Sequence, residues 1–155
     1  MLKQLQKSKD QKGFTIIEVL IVLAIAGLIL LIVFLAVPAL QRNSRNTQRT
    51  DDVARVLGAA QEVLNNNNGQ LTNLDSAALQ SAVGTTLAYY TNTNVTVDAT
   101  VANAAMTNAD NVVLHKGAKC DTTTPGKTVA GSSRQLAVQF AVESAGGTTA
   151  RCTDS

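Results

Sequence analysis

A run of nineteen residues without a polar side chain, Val19–Val37, constrains this chain more than any other feature of its sequence. As an α-helix with a rise of about 1.5 Å per residue, the run would be roughly 28 Å long, close to the ~30 Å thickness of a bilayer's hydrocarbon core. A helix that is apolar on every side differs from the amphipathic helix that packs onto one face of a soluble domain. The run therefore predicts a helix surrounded by lipid or by equally apolar protein.

The residues before this run are polar and basic. The first thirteen carry a net charge of +3, from Lys3, Lys7, Lys9 and Lys12 against Asp10. A basic start before an apolar run is also typical of an ordinary secretory signal. That interpretation is disfavoured because the run exceeds the about 7–15 residues of a signal's hydrophobic region, and because Pro38 lies where a signal peptidase would have to bind the backbone.

Charge and composition argue against a nucleic-acid partner. After the first thirteen residues, 9 of the 13 Lys and Arg remain against 10 of the 11 Asp and Glu, which gives a net side-chain charge of −1. Aromatic residues make up only 3% of the chain, so few rings are present to stack on bases. Arg42, Arg45 and Arg49 share one helix face, which could contact lipid headgroups, an acidic neighbour or DNA; we interpret it as a solvated face, with Arg49 and Asp52 as a surface pair.

The sequence offers no support for catalysis, a cofactor or a metal site. His115 is the single histidine and lies on a predicted strand, so neither a histidine-rich metal cluster nor a catalytic triad has enough members. Three aspartates, Asp98, Asp110 and Asp121, do not have the spacing of a calcium loop. The glycines do not form a phosphate loop. We expect a protein that is not an enzyme.

The junction between the basic start and the apolar run, Lys12-Gly13-Phe14-Thr15-Ile16-Ile17-Glu18, resembles the processing site of type IV prepilins. The resemblance covers about residues 1–40. It implies that a prepilin peptidase cleaves between Gly13 and Phe14 on the cytoplasmic side, that Phe14 is N-methylated, and that the apolar helix packs into the core of a filament. It also implies an orientation, leader inside and C-terminal part outside, that the lysines and arginines flanking the run leave undecided.

Glu18, immediately before the apolar run, has two interpretations that the residues alone leave open. Cleavage would give Phe14 a free amine one helical turn away, and a carboxylate entering an apolar environment requires a cationic partner. In proteins similar to the prepilins this glutamate pairs with an N-terminal amine, usually a neighbour's. Thr15 and Glu18 also fit a capping box at a helix start. The two can coexist if Glu18 changes partner on assembly.

Two residues inside the helix, Gly27 and Pro38, disfavour regular helical structure. From local chemistry alone, Gly27 would allow close contact with another helix, and Pro38 would bend the helix at the membrane surface. The resemblance adds a segment between them that can loosen in the assembled fibre, although this proline comes about three residues later than in many pilins.

We expect an α+β protein: a long N-terminal helix, membrane-spanning in its first half and amphipathic in its second, packed against a small antiparallel sheet. The predicted divisions are a cleaved leader (1–13), a transmembrane or filament-core half-helix (14–40) and a head (41–155). The head divides into helix (41–64), loop and short helix (65–94) and sheet (95–155). Apolar residues at helical spacing would face the sheet: Val53, Val56, Leu57, Ala60, Val63 and Leu64. Strands are predicted at 94–99, 111–116, 135–142 and 148–152, and a short helix at 75–83.

Cys120 and Cys152 lie in the polar part of a chain with a membrane-targeting start, a setting that favours a disulfide. The resemblance implies the same, since many pilins carry such a pair around a variable surface region.

These features predict the structural subunit of a type IV pilus that serves motility, adhesion or DNA uptake. The precursor would be a single-pass protein of the inner (cytoplasmic) membrane, and the assembled product a cell-surface filament. Expected partners are further copies of the chain, a prepilin peptidase and methyltransferase, the assembly platform with its motor, and membrane lipid before assembly. DNA remains possible without support from the sequence. The alternatives are a minor pilin or type II secretion pseudopilin, and a single-pass anchored binding or adhesion domain that does not polymerise.

Overall fold

The computed structural model describes residues 13–85, 87–99, 106 and 108–155. The predicted leader therefore lies outside the described residues except for Gly13. The chain forms two compact units, Met1–Ala39 and Leu40–Ser155.

Helix α1 spans Ile16–Asn66 and contains both the apolar run and its amphipathic continuation. Its C-terminus is closed by a bond from the Gly69 N–H to the Leu64 carbonyl at 2.8 Å, with Asn68 and Gly69 in left-handed conformation (φ 56° and 77°). Asparagine and glycine adopt this conformation most easily, and the helix ends within two residues of the predicted bound at 64.

The C-terminal half of α1 covers a mixed four-stranded sheet. Its strands are β1 (Val95–Asp98), β2 (Val112–Lys116), β5 (Leu136–Ser144) and β6 (Gly147–Asp154), in the order β1-β2-β5-β6. Helix α2 (Ser76–Val83) precedes them, and β3 (Ala118–Cys120) pairs with β4 (Thr128–Ala130) in a separate antiparallel hairpin. The predicted apolar stripe of α1 packs on this sheet: Val53, Val56, Ala60 and Leu64 are buried, and Leu57 and Val63 are partly buried. This α+β architecture is pilin-like.

Two predictions about the sheet are wrong. Strand β1 pairs with β2 in parallel, from Val95 opposite Val112 to Asp98 opposite His115, whereas antiparallel pairing of neighbours was expected. Thirteen residues, 99–111, separate the two strands, a length that suits a crossover between parallel strands better than a hairpin. The segment 117–134, which the predicted strands leave as a connection, contains β3 and β4. The expected antiparallel pairing of neighbouring predicted strands is confirmed for β2 with β5 and for β5 with β6.

The face of the sheet that points away from α1 is also buried. Ala137, Gln139 and Ala141 of β5 lie on this face, under the segment that holds β3 and β4. The Gln139 amide donates to the Gly126 carbonyl at 2.6 Å, and its oxygen lies 3.0 Å from Nε2 of the buried His115. A Cβ atom at Gly126 would lie 2.4 Å from that of Ala150, so glycine is required for this close approach.

The predicted surface pair of Arg49 with Asp52 is wrong. The Arg49 side chain is 1% exposed, and its Nη2 lies 2.9 Å from Oε1 of Glu143 on β5. Its guanidinium carbon stacks 4.2 Å from the centroid of the Tyr89 ring, and Nη2 also contacts the Tyr89 hydroxyl. Arg45 forms a second ion pair with Glu143, in which Nη2 lies 2.5 Å from Oε2. Two members of the arginine face thus pair within the chain itself, with an acid from a distant strand.

Asp52 is fully buried and accepts three backbone hydrogen bonds from the segment before β1. Its carboxylate receives the N–H groups of Ala88, Tyr89 and Tyr90 at 2.8, 2.7 and 3.1 Å. A buried carboxylate is tolerated where several donors replace its water. Asp52 therefore ties the 88–90 segment to α1.

The ion pairs of Glu143 with Arg45 and Arg49 lead us to expect that the protein loses stability in acid. The hydrogen bond from Arg45 holds the pKa of the Glu143 carboxyl below its ordinary value. A carboxyl whose pKa is lower in the folded state stabilises the protein above its unfolded-state pKa, and that contribution is lost as pH falls through the folded-state pKa. We expect Glu143→Gln to flatten the pH dependence of the free energy of unfolding in the acid range. The exposed Glu62, changed to Gln in the same way, serves as control. Identical acid slopes in wild type and Glu143→Gln would contradict this assignment.

Candidate functional site

The predicted processing site lies at the start of α1. Gly13, Phe14 and Thr15 precede the first helical residue, Ile16, and Phe14 is 90% exposed. A Cβ atom added at Gly13 would meet nothing within 4 Å, and this glycine is not among those with positive φ. The described structure therefore gives no folding reason for glycine at this position.

Thr15 and Glu18 form a capping box. The Glu18 Oε2 atom accepts hydrogen bonds from the Thr15 N–H at 2.9 Å and the Thr15 hydroxyl at 2.7 Å. In return the Glu18 N–H donates to the Thr15 hydroxyl oxygen at 3.3 Å. This arrangement satisfies donors at the helix start that have no partner within the helix. Both of these hydrogen bonds to the carboxylate are accepted by Oε2.

The first half of α1 is apolar and exposed. The most apolar window of the helix has a mean hydropathy of 3.4 and none of it is buried, so by length and composition this helix can cross a membrane. Phe14, Val19, Val22 and Leu23 line a shallow apolar groove of about 490 Å³ beside Glu18. A surface of this kind is stable only against lipid or other apolar protein.

Gly27 and Pro38 both lie inside α1, which is helical on either side of them. A Cβ atom at Gly27 would meet nothing within 4 Å, so no described contact requires a glycine there. Pro38 lacks an N–H, and the carbonyl four residues earlier therefore loses its helical hydrogen bond. Loosening of the segment between them on assembly remains a prediction.

Cys120 and Cys152 form a disulfide that connects β3 to β6, with their Cα atoms 5.7 Å apart. The bond closes a loop that contains β4, β5 and the Gly126 turn. It thereby attaches the β3–β4 hairpin to one edge of the sheet.

A further surface was not recognised from the sequence. Strand β6 has threonine or arginine at the three positions that point to the α1 side, Thr149, Arg151 and Thr153, opposite Val142, Phe140 and Val138 of β5. The polar residues at 149 and 151 of the predicted strand were the available signal, because a strand with charged or polar side chains on the core-facing side is typical of the edge of a sheet.

Comparison with known proteins bears on the N-terminal site alone. Residues 8–34 match the family model described as the prokaryotic N-terminal methylation motif. No curated protein and no solved structure matches the chain. The matched residues include Gly13, Phe14, Glu18 and most of the apolar run. The chain therefore carries the type IV prepilin-like signal on a pilin-like architecture, a combination that indicates a type IV pilin-like or pseudopilin protein.

Proposed function

We propose that this protein is the structural subunit of a type IV pilus, made as a single-pass precursor in the inner membrane and polymerised through residues 14–40. The observation that carries the proposal is the juxtaposition of one acid, Glu18, with an apolar run, Val19–Val37, that is exposed along its length. An anchor for a soluble domain needs only the apolar run. The acid at its start, inside a methylation motif, is explained if many such helices pack together and the acid binds a neighbouring subunit.

In this proposal, prepilin peptidase cleaves between Gly13 and Phe14, and methylation of the new amine follows. The exposure of Phe14 and the space around Gly13 suit cleavage by an enzyme that must bind this backbone. Because no described contact requires glycine at position 13, the peptidase is the simplest reason for its presence.

Assembly then changes the partner of Glu18. In the single chain its carboxylate is held by Thr15 of its own helix start. In the filament we propose that the carboxylate binds the methylated amine of Phe14 from a neighbouring subunit, whose apolar end would occupy the groove formed by Phe14, Val19, Val22 and Leu23. A charge pair in apolar surroundings is specific because an unpaired charge there is costly.

Mass spectrometry of the chain purified from membranes tests the processing step. We expect the mature chain to begin at Phe14 and to carry one methyl group on its α-amine. Gly13→Leu should remain at full length, because a side chain at this position obstructs the peptidase while meeting nothing in the described fold. Gly58→Leu, at an open glycine within α1, is the control and should be processed normally.

A mature chain that begins near Leu40 would identify an ordinary secreted domain and contradict the proposal. Full-length wild-type protein on the cell exterior would do the same.

A minor pilin or secretion pseudopilin would share every feature of the N-terminal site. Abundance separates the two functions, since the major subunit should dominate fibres sheared from the cell surface and a pseudopilin should be missing there or present in traces.

A further inference from the structure

The dipeptide Asn68-Gly69, just after the end of α1, has the chemistry of a spontaneous modification site. The backbone nitrogen of the second residue can attack the side-chain amide carbon of the first, because glycine has no Cβ atom to obstruct the approach. Asn68 is the single asparagine of the chain that precedes a glycine. It is also exposed, so water has access to it.

The reaction is a deamidation in two steps. In the first, a bond forms between the Gly69 nitrogen and Cγ of Asn68. The bond from Cγ to the side-chain nitrogen breaks, and ammonia leaves with the proton of the former Gly69 N–H. In the second step, water opens the resulting five-membered succinimide ring at either of its two carbonyl carbons. The product is an aspartate, or an isoaspartate in which the main chain runs through the former side chain.

In the folded chain the attacking nitrogen is already engaged. The Gly69 N–H donates to the Leu64 carbonyl oxygen at 2.8 Å, in the bond that closes the C-terminus of α1. The Asn68 N–H donates to the Asn65 carbonyl oxygen at 3.2 Å in the same turn. A base cannot remove the Gly69 proton while its hydrogen bond is intact, for the same reason that such amides resist hydrogen exchange.

The backbone conformation of Asn68 also keeps the two reacting atoms apart. Its φ of 56° is that of a left-handed residue, for which ψ is about +30° to +60°. At such a ψ, the Asn68 Cβ and the Gly69 nitrogen lie on nearly opposite sides of the Cα–C bond. The succinimide ring requires these two atoms on the same side. Asn68 must therefore leave the left-handed conformation, and Gly69 must release Leu64, before the ring can form.

We propose that Asn68 is a site of spontaneous deamidation that the closed C-terminus of α1 keeps unreactive, so that the reaction proceeds only when the last turn of the helix opens. Opening of a helix end is a local event that leaves the rest of the fold intact. Isoaspartate adds one atom to the main chain at position 68, and the bond from Gly69 to Leu64 cannot then form again in its present geometry. The modification thus records, irreversibly, that the helix end has opened.

Ageing of the full chain in detergent micelles, in mildly alkaline buffer with or without concentrated urea, tests the proposal. Mass spectrometry with electron-transfer fragmentation locates a gain of one mass unit along residues 65–68, and an isoaspartyl methyltransferase assay counts isoaspartate. We expect Asn68 to react before its three neighbours in urea, because only Asn68 precedes a glycine. Without urea we expect it to react at least about tenfold more slowly.

Leu64→Ala tests whether the opening is local. Leu64 is buried and attaches the last turn of α1 to the core, so its truncation should raise the deamidation rate of the folded chain by at least about threefold. Val53→Ala, at a buried position in the middle of the same helix, is the control and should react like the wild type. Asn68→Gln should show no gain at position 68, because a glutamine would have to form a larger ring.

Three results would overturn the proposal. Equal rates at Asn68 with and without urea would show that the closed helix end does not protect it. Failure of Asn68 to react even in urea would remove the modification site. Equal rates in Leu64→Ala and Val53→Ala would show that opening of the last turn does not control the reaction.

Discussion

Glu18→Ala is expected to abolish filament assembly while leaving membrane insertion and cleavage after Gly13 intact. The substitution adds apolar surface to a helix that is long and apolar enough to cross a membrane, so the precursor should accumulate at wild-type levels. In the proposed filament, however, the methylated amine of a neighbouring Phe14 would lose its partner in apolar surroundings. Removing one member of such a pair is strongly destabilising, and we expect sheared surface fibre to fall by on the order of a hundredfold.

Glu18→Gln separates the two contacts of this residue. Glutamine can keep the capping box, because its amide oxygen accepts the Thr15 N–H, but it carries no charge. Loss of fibre in both variants would assign assembly to the charge. Normal fibre from Glu18→Gln but not from Glu18→Ala would assign the effect to the helix start.

The matched control is Glu62→Ala, which removes an exposed acid from the same helix and should assemble normally. Wild-type amounts of fibre from both Glu18 variants would refute polymerisation through this acid. The chain would then be better described as an anchored domain.

The second large effect is expected from Asp52→Ala, which should lower the free energy of unfolding without acting on the N-terminal site. The substitution leaves the N–H groups of Ala88, Tyr89 and Tyr90 without the acceptor they share inside the protein. Each buried donor that loses its partner costs about 1–3 kcal/mol, and we expect the free energy of unfolding to fall by at least about 3 kcal/mol. Domains are typically stable by about 5–15 kcal/mol, so much of the variant should unfold at moderate denaturant concentration.

Asp51→Ala is the control for this prediction. The neighbouring aspartate is exposed, and its removal should change the free energy of unfolding by less than about 0.5 kcal/mol. Denaturant titration of the full chain in micelles, followed by the fluorescence of Tyr89 and Tyr90, measures both variants. Equal stability of the two would show that the Asp52 contacts do not hold the 88–90 segment.

Local features of the sequence predicted the helices and the strands of the main sheet well. The long helix, predicted to end at 64, ends at Asn66 before the left-handed Asn68 and Gly69, and the short helix predicted at 75–83 is α2, capped by Asp75 and Gly84. Alternation from Leu136 to Val142 identified β5. These signals are reliable because each depends on neighbouring residues: a left-handed conformation, a capping side chain, or a period of two along a strand.

Pairing between distant segments could not be predicted in the same way. The parallel pairing of β1 with β2 and the pairing of β3 with β4 depend on where long connections travel, which is not encoded in any short window. Arg49 illustrates this point at the level of a side chain. Its spacing from Asp52 was that of a helical surface pair, yet Glu143 lies 94 residues away in sequence and takes the arginine into the interior.

By itself, then, the sequence determined the N-terminal part of this protein. The methylation motif, the acid and the apolar helix all follow from residues adjacent in the chain, and the length of the apolar run is close to the thickness of a bilayer's hydrocarbon core. Only the tertiary structure decided which polar residues of α1 are buried and which strands pair with one another. Those outcomes require segments far apart in sequence to be brought together, as Arg49 and Glu143 are.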